Sequence, residues 1–343
     1  MSRHVNIPIF IPHLGCPNQC VFCNQRHISG VQDFCPGDVD KLIKEALATV
    51  NNDDDVEIAF FGGSFTGIDR DLMISLLETA YKYVEMGKVE SIRCSTRPDY
   101  INEEIVGILK KYGVKTVELG LQSCSDNVLK ASKRGHNFEA ERDACEIIVD
   151  SGLNLVGQMM IGLPGSDIES EIESARFIIN SGAVGARIYP TVVFRDTELY
   201  HMTLSGEYKA LSIDEAVERS ALVLELFINA GVRVIRIGLQ ASEGLSSKES
   251  YYAGPNHAAL GELVENRLYY NKISKKLSDM HLSGDEKIDI FVARGALSKA
   301  VGQKKQNKIR LAEKYGNIRF FESENLAGYD ISACIMDGES ICI

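Results

Sequence analysis

Tryptophan is absent from this sequence, so any stacking of a nucleobase falls to its tyrosines and phenylalanines. No stretch approaches the roughly 18 apolar residues of a membrane-spanning helix, so no membrane partner is expected. A surplus of basic charge is lacking too: the formal net charge is −11, which argues against a protein that coats nucleic acid. Internal repeats and low-complexity tracts are missing. Cysteine occurs nine times, an odd number, and Cys35, Cys94, Cys124, Cys145, Cys334 and Cys342 are scattered, so a secreted disulfide framework is not indicated. Most of these six read as buried small hydrophobes or inert thiols, and a reducing cytoplasm fits best. Near the N-terminus, the apolar run from Ile7 to Pro12 leads into His13-Leu14-Gly15-Cys16, a faint likeness to a lipoprotein cleavage site. The run is short and holds two prolines, below what a signal peptide needs.

What is present is an ordinary globular composition, 45% hydrophobic and 25% charged over 343 residues, which suggests about two domains. Short β-branched runs alternate with longer amphipathic stretches. Strands are expected at Val5–Ile11, Val56–Phe61, Ser91–Ser95, Thr116–Leu121, Asn154–Ile161, Gly185–Pro190 and Val232–Ile237. Helical spacing predicts helices over Asp38–Val50, Asp69–Val84, Glu103–Tyr112, Glu139–Ser151, Asp167–Ser181 and Ile213–Ala230. Repeated strand–helix units predict an α/β fold, a partial or full (β/α) barrel with a parallel sheet and its chemistry at the C-terminal ends of the strands.

The first strand runs into Gly15-Cys16-Pro17-Asn18-Gln19-Cys20-Val21-Phe22-Cys23, a C-x3-C-x2-C loop. Three thiolates this close can wrap one metal centre. An ordinary [4Fe–4S] site takes four cysteines; with no fourth nearby, one iron is left open, and an open iron can chelate the amino and carboxylate groups of a methionine. The competing reading is a zinc site with His13 or His27 as fourth ligand, but zinc commonly uses two separated C-x2-C pairs, which are absent.

This triplet, with aromatic Phe22 before its third cysteine, resembles the radical S-adenosylmethionine (SAM) signature. The glycine-rich Phe61-Gly62-Gly63-Ser64-Phe65-Thr66 looks like the family segment that contacts the methionine amino group, since glycine lets backbone approach a ligand closely. Ser95-Thr96-Arg97-Pro98-Asp99-Tyr100, Val117–Ser123, Arg134-Gly135-His136, Gly162-Leu163-Pro164-Gly165, Tyr189-Pro190-Thr191, Gly206–Lys209 and Gly254–Leu263 follow in order. Over about residues 5–270 they resemble the radical SAM part of the elongator catalytic subunit, a tRNA-modifying protein, and its shorter bacterial relatives. The resemblance implies two cofactors, a [4Fe–4S] cluster on Cys16, Cys20 and Cys23, and SAM. It places Phe22 by the adenine, and Gly62, Gly63 and Ser64 by the methionine. Gln122 and Arg134 would meet the ribose and carboxylate, and Gly162 to Gly165, with Leu163, would pass beneath the adenine. It also implies an electron donor such as flavodoxin or ferredoxin. Ser95 stands where that family has Glu and Gln158 where it has His, and the first two cysteines are closer together. Residues 271–343 are too few for the acetyltransferase domain of the elongator protein, so its acetyl-CoA chemistry is not expected here. No catalytic acid or base is identified.

A catalytic domain over residues 1–270 is therefore expected, then a polar linker or surface helix from Asn271 to Glu286 and a small α+β module, together residues 271–343. From Arg294 to Arg319 eight basic residues face Glu313 alone, a footprint suited to phosphate. Ser298 to Ala312 resembles a KH domain, with Gly302-Gln303-Lys304-Lys305 in place of the G-x-x-G loop that clamps single-stranded nucleic acid. Lys299, Gly302, Lys304, Lys305, Lys308 and Arg310 are the expected RNA-binding residues. The function expected is radical modification of a tRNA-like RNA. A small-molecule substrate such as a tetrapyrrole, or a non-enzymatic RNA-binding redox sensor, are the rivals.

Overall fold

The structure, a computed structural model, describes residues 3–11, 14–16, 20–24, 34–51, 53–239, 250–280, 282, 286–336 and 341–342. Seven parallel strands form the main sheet: β1 (His4–Ile11), β2 (Asp55–Gly62), β3 (Ser91–Thr96), β4 (Val114–Gln122), β5 (Asn154–Ile161), β6 (Gly185–Pro190) and β8 (Arg233–Ile237). They pair in chain order and β1 does not pair with β8, so the barrel is partial, not closed. All seven strands expected from the sequence are present. Helices α1 (Val39–Leu47), α2 (Arg70–Glu85), α3 (Glu103–Lys111), α4 (Asp126–Ala131), α5 (Phe138–Asp150), α6 (Ile168–Asn180), α7 (Glu198–Ser205) and α8 (Ile213–Asn229) lie between them. Asp69, Asn102, Asn137 and Asp167 accept backbone N–H groups at the starts of α2, α3, α5 and α6, which fixes where those helices begin. The short antiparallel pair β7 (Val193–Phe194) and β9 (Tyr251–Ala253) was not legible in the sequence.

Strand alternation separates two faces of the sheet. Ile58, Phe60, Ile92, Cys94, Val117, Leu119, Ala186 and Ile188 are buried and form an apolar face. The alternate residues form a buried polar network. Glu118, 0% exposed, accepts from Arg93 Nη1 (2.9 Å), Arg187 Nε (2.8 Å) and Nη2 (3.0 Å), and Gln158 Nε2 (3.1 Å). Glu57 accepts from Ser91 Oγ (2.6 Å) and Arg93 Nε (2.8 Å). The two positions that depart from the elongator pattern meet here, with Gln158 Nε2 3.4 Å from Ser95 Oγ.

The chain divides into two compact units, one of residues 1–213 and 226–256, the other of residues 214–225 and 257–343. The second unit holds α9 (Leu260–Asp279), β10 (Lys287–Ala293), α10 (Leu297–Val301), α11 (Gln306–Tyr315), β11 (Asn317–Ser323), β12 (Ile331–Ile335) and β13 (Ile341–Cys342). Its sheet runs β11-β10-β12-β13, with β10 parallel to β11 and antiparallel to β12. The sequence reading broke the chain at residue 270, but α9 crosses that point without interruption. Tyr269, Ile273 and Leu277 pack in one core with Ile288, Ile290, Leu311 and Ile318, so the polar stretch after Asn271 is the outer face of a docked helix. Cys334 is disulfide-bonded, against the expectation of inert thiols, and faces Cys342 across the β12–β13 ladder.

Candidate active site

The motif residues of the first unit converge at the C-terminal ends of the strands. Cys16, Cys20 and Cys23 follow β1. The loop after β2 packs backbone to backbone on them: Gly63 N–H donates to Ile11 O (3.0 Å) and Ser64 N–H to Leu14 O (3.3 Å). A Cβ on Gly63 would lie 2.4 Å from Leu14 O and 3.5 Å from Cys16 Sγ, and one on Gly15 2.3 Å from Ser64 O. Glycine is therefore required here so that one loop can seat the other. Gly62, at φ +121°, makes the turn. Ser64 is buried and its hydroxyl is 2.7 Å from Thr96 Oγ1, so it braces β3.

Two guanidiniums meet the cysteine loop from behind. Arg134 Nη1 lies 3.3 Å from Cys20 Sγ and Arg97 Nη1 3.9 Å; both arginines are buried. Arg97 also grips Asp99 with two bonds of 2.9 Å. Arg97 belongs to a recognised motif but was not singled out from sequence; its place just past β3 was the available signal. Burial pushes the Cys16 thiol up, against the pull of Arg97 and Arg134. Burial would also raise Asp99, but hydrogen bonds from His136 and Arg97 outweigh it and hold that carboxyl well below the usual range. His136 Nε2 sits 3.0 Å from Glu141 Oε1, and burial pushes that carboxyl up to about 7.

Gln122 ends β4 at φ +73°, a backbone state that non-glycine residues rarely take. Among the described residues its Oε1 and the Nε of Arg134 are buried without a hydrogen-bond partner, and such orphans call for a ligand, water or ion. Gly162, at φ +79°, donates to Glu171 Oε1 (2.7 Å) and accepts from the Tyr208 hydroxyl (2.6 Å). Leu163 beside it is buried, and Phe22 packs with Val21, Val193, Leu199 and Tyr208.

His13 and His27, the possible zinc ligands, lie outside the described residues. Among the described residues no three His, Cys, Asp or Glu side chains close around one ion, as tetrahedral zinc would need. A four-iron cluster would take each thiolate on a different iron, so its ligands need not close around one ion, and a cysteine loop lined by two guanidiniums suits its negative charge. The residues present therefore fit a cluster with SAM.

In the second unit Lys304, Lys305, Lys308 and Arg310 are exposed. Lys299 is not free for phosphate, because its Nζ is 2.8 Å from Glu265 Oε1. Arg319 pairs with Asp289 (2.7 Å) and Arg294 with Glu324 (3.5 Å), so acids outside the basic run offset part of its charge. Lys305 takes φ +61°, the left-handed state that the final glycine of a G-x-x-G loop would supply. The turn survives, with a side chain where that glycine has none. Gly302, at φ +80°, is buried, and a Cβ there would lie 2.9 Å from Asn307 Cγ.

Residues 10–178 match the radical SAM superfamily and residues 183–270 the radical SAM C-terminal domain. The chain is 32% identical to human Elongator complex protein 3 over 235 residues, 63% of this chain and 42% of that protein. It is 37% identical over 147 residues to the tRNA uridine(34) acetyltransferase of Methanocaldococcus infernus, 41% of this chain and 28% of that one. The chain thus spans less than half the length of these curated relatives. Among solved structures, the archaeal Elp3 of Methanocaldococcus infernus with an N-terminal deletion superposes with a TM-score of 0.63 at 26% identity, covering 80% of this chain and 64% of that one.

Proposed function

Because the chain belongs to the radical SAM superfamily of enzymes, whose cofactors are a [4Fe–4S] cluster and SAM, we propose that Cys16, Cys20 and Cys23 hold the cluster and that the enzyme modifies an RNA of tRNA type. The observation that supports the cluster assignment most directly is the pair of buried guanidiniums of Arg134 and Arg97 against Cys20 Sγ. With cluster and SAM bound, one-electron reductive cleavage of the sulfonium supplies a 5′-deoxyadenosyl radical.

The chain's own residues bind, shield and orient. The guanidiniums of Arg97 and Arg134 lie against Cys20 and offset part of the burial that pushes the Cys16 thiol up. The orphaned Gln122 Oε1 and Arg134 Nε are suited to the ribose and carboxylate of SAM. Gly162 and Leu163 form the turn under the adenine, and Phe22 closes the loop side. Gly62, Gly63 and Ser64 hold the cysteine loop by backbone contact. A one-electron donor of the flavodoxin or ferredoxin class would serve as reductant. Support for RNA comes from the tRNA-modifying relatives and the exposed Lys304, Lys305, Lys308 and Arg310. What matches is the radical SAM portion, so radical generation is what we assign to this chain.

Two measurements test this. Anaerobically reconstituted Cys20→Ala should hold far less iron and sulfide than wild type; equal loading would refute the ligand set. Nucleosides of total tRNA and rRNA from cells with and without the gene should differ by one species. Wild-type protein that binds RNA but yields no 5′-deoxyadenosine under dithionite would favour a redox sensor instead.

A further inference from the structure

An aromatic and cationic patch borders the cysteine loop on the side of β7, α7 and β9. Leu199, in the first turn of α7, donates its N–H to Val21 O (2.8 Å), between Cys20 and Phe22. Tyr200 packs in the same cluster as Val21 and Phe22. Onto Tyr200 leans Tyr252 of β9, ring centroids 4.8 Å apart at 78°. Arg195 lies over both rings, its Cζ 5.6 Å from the Tyr200 centroid and 5.4 Å from that of Tyr252. Its Nη1 is 3.3 Å from the Tyr200 hydroxyl, and its backbone N–H donates to Ser250 O (2.8 Å). The next residue, Asp196, takes φ +61°, so the turn that sets Arg195 against the rings is held in a strained backbone state.

This cluster is not closed off. Tyr252 is 37% exposed, unlike a ring whose role ends at core packing. The two rings stand nearly at right angles under one guanidinium, so the partly exposed ring of Tyr252 is the face on which one planar base can stack. The place matters as much as the chemistry. A radical formed at the cysteine loop acts on an atom held next to it, and Tyr252 stands one ring away from a residue that packs on that loop.

We propose that Tyr252, backed by Arg195 and Tyr200, is a stacking platform for one unpaired base of the RNA substrate, positioning the strand at the mouth of the active site. This rests on the RNA reading above and names where that RNA is gripped.

The test uses the full chain, anaerobically reconstituted, and fluorescence anisotropy with short single-stranded RNAs, each paired with a version abasic at one position. Tyr252→Ala should weaken binding of base-containing RNA roughly five- to a hundredfold, the range for losing one base–aromatic stack. Tyr252→Phe should bind as wild type, and abasic RNA should bind wild type and Tyr252→Ala alike. A 2-aminopurine at the same position should be quenched on binding wild type, a readout that needs no variant to fold. Unquenched 2-aminopurine, or equal binding by wild type and Tyr252→Ala, overturns the platform while leaving the RNA reading intact. Equal losses on base-containing and abasic RNA also overturn it. Wild type that binds no RNA overturns the RNA reading itself.

Discussion

Glu118 is the most exacting position in the barrel. It is 0% exposed and carries three hydrogen bonds from two guanidiniums plus one from Gln158. Glu118→Ala leaves Arg93 and Arg187 buried with their shared counter-charge gone. Breaking a buried ion pair from one side costs about 3–5 kcal/mol, because the surviving charge stays desolvated. With an unfolding entropy of about 2.1 cal/mol/K per residue over 343 residues, each kcal/mol shifts the melting temperature by roughly 1.4 °C, so a fall of about 4–7 °C is expected by circular dichroism on the cofactor-free chain. Glu118→Gln, which keeps the shape and an acceptor, should fall by less. The double change Glu118→Leu with Arg187→Met, which leaves Arg93 paired with Glu57, should recover part of the loss, since apolar groups of similar volume can replace a buried ion pair at little cost. Glu118→Ala melting within about 1 kcal/mol of wild type would show that the network is solvated. A double variant no better than Glu118→Ala would show that charge imbalance is not the cause.

Gly63→Ala should lower the iron content after anaerobic reconstitution, because its Cβ would sit 2.4 Å from Leu14 O and push the cysteine loop away; iron content equal to wild type would refute the backbone-seat argument. The Glu141 carboxyl, raised to about 7 in the fold from about 4.3 unfolded, binds its proton more tightly when folded, so its contribution to stability is full below about pH 4 and is lost as pH rises through 7. Urea midpoints of Glu141→Gln should therefore gain on wild type between pH 5 and pH 8, and parallel curves would contradict that shift. Lys304→Ala with Lys305→Ala should reduce the slope of log affinity against log salt for single-stranded RNA by roughly 1.4, at about 0.7 per phosphate contact; an unchanged slope would make the basic loop a solvated surface.

Local pattern carried much of the fold. Each strand of the main sheet shows as a short β-branched run, and each cysteine of the loop as a position within eight residues of the others. Pattern failed where a residue's neighbours come from far along the chain. Asn271 onward reads as a linker or surface helix because its polar residues outnumber its apolar ones; it is helical to Asp279, yet Ile273 and Leu277 are fully buried against β10 and α11. The basic run read as nearly unopposed because Glu265, Asp289 and Glu324 lie outside it, and only folding sets them against Lys299, Arg319 and Arg294.

The same division holds at the site. Sequence alone set how many thiolates one loop can bring to a centre and where glycine lets backbone pack on backbone, and the resemblance those motifs carry, matched by the radical SAM family over residues 10–178, set the cofactors. Tertiary structure alone decided the partners of that loop: Arg97 and Arg134 on Cys20, 77 and 114 residues away, and Arg195, Tyr200 and Tyr252 gathered from a turn, a helix and a strand beside it. Spacing along a chain encodes only what lies within a turn or a strand; contacts across such separations form when the buried faces of distant elements pack together, and no local period records which charges or rings will then meet.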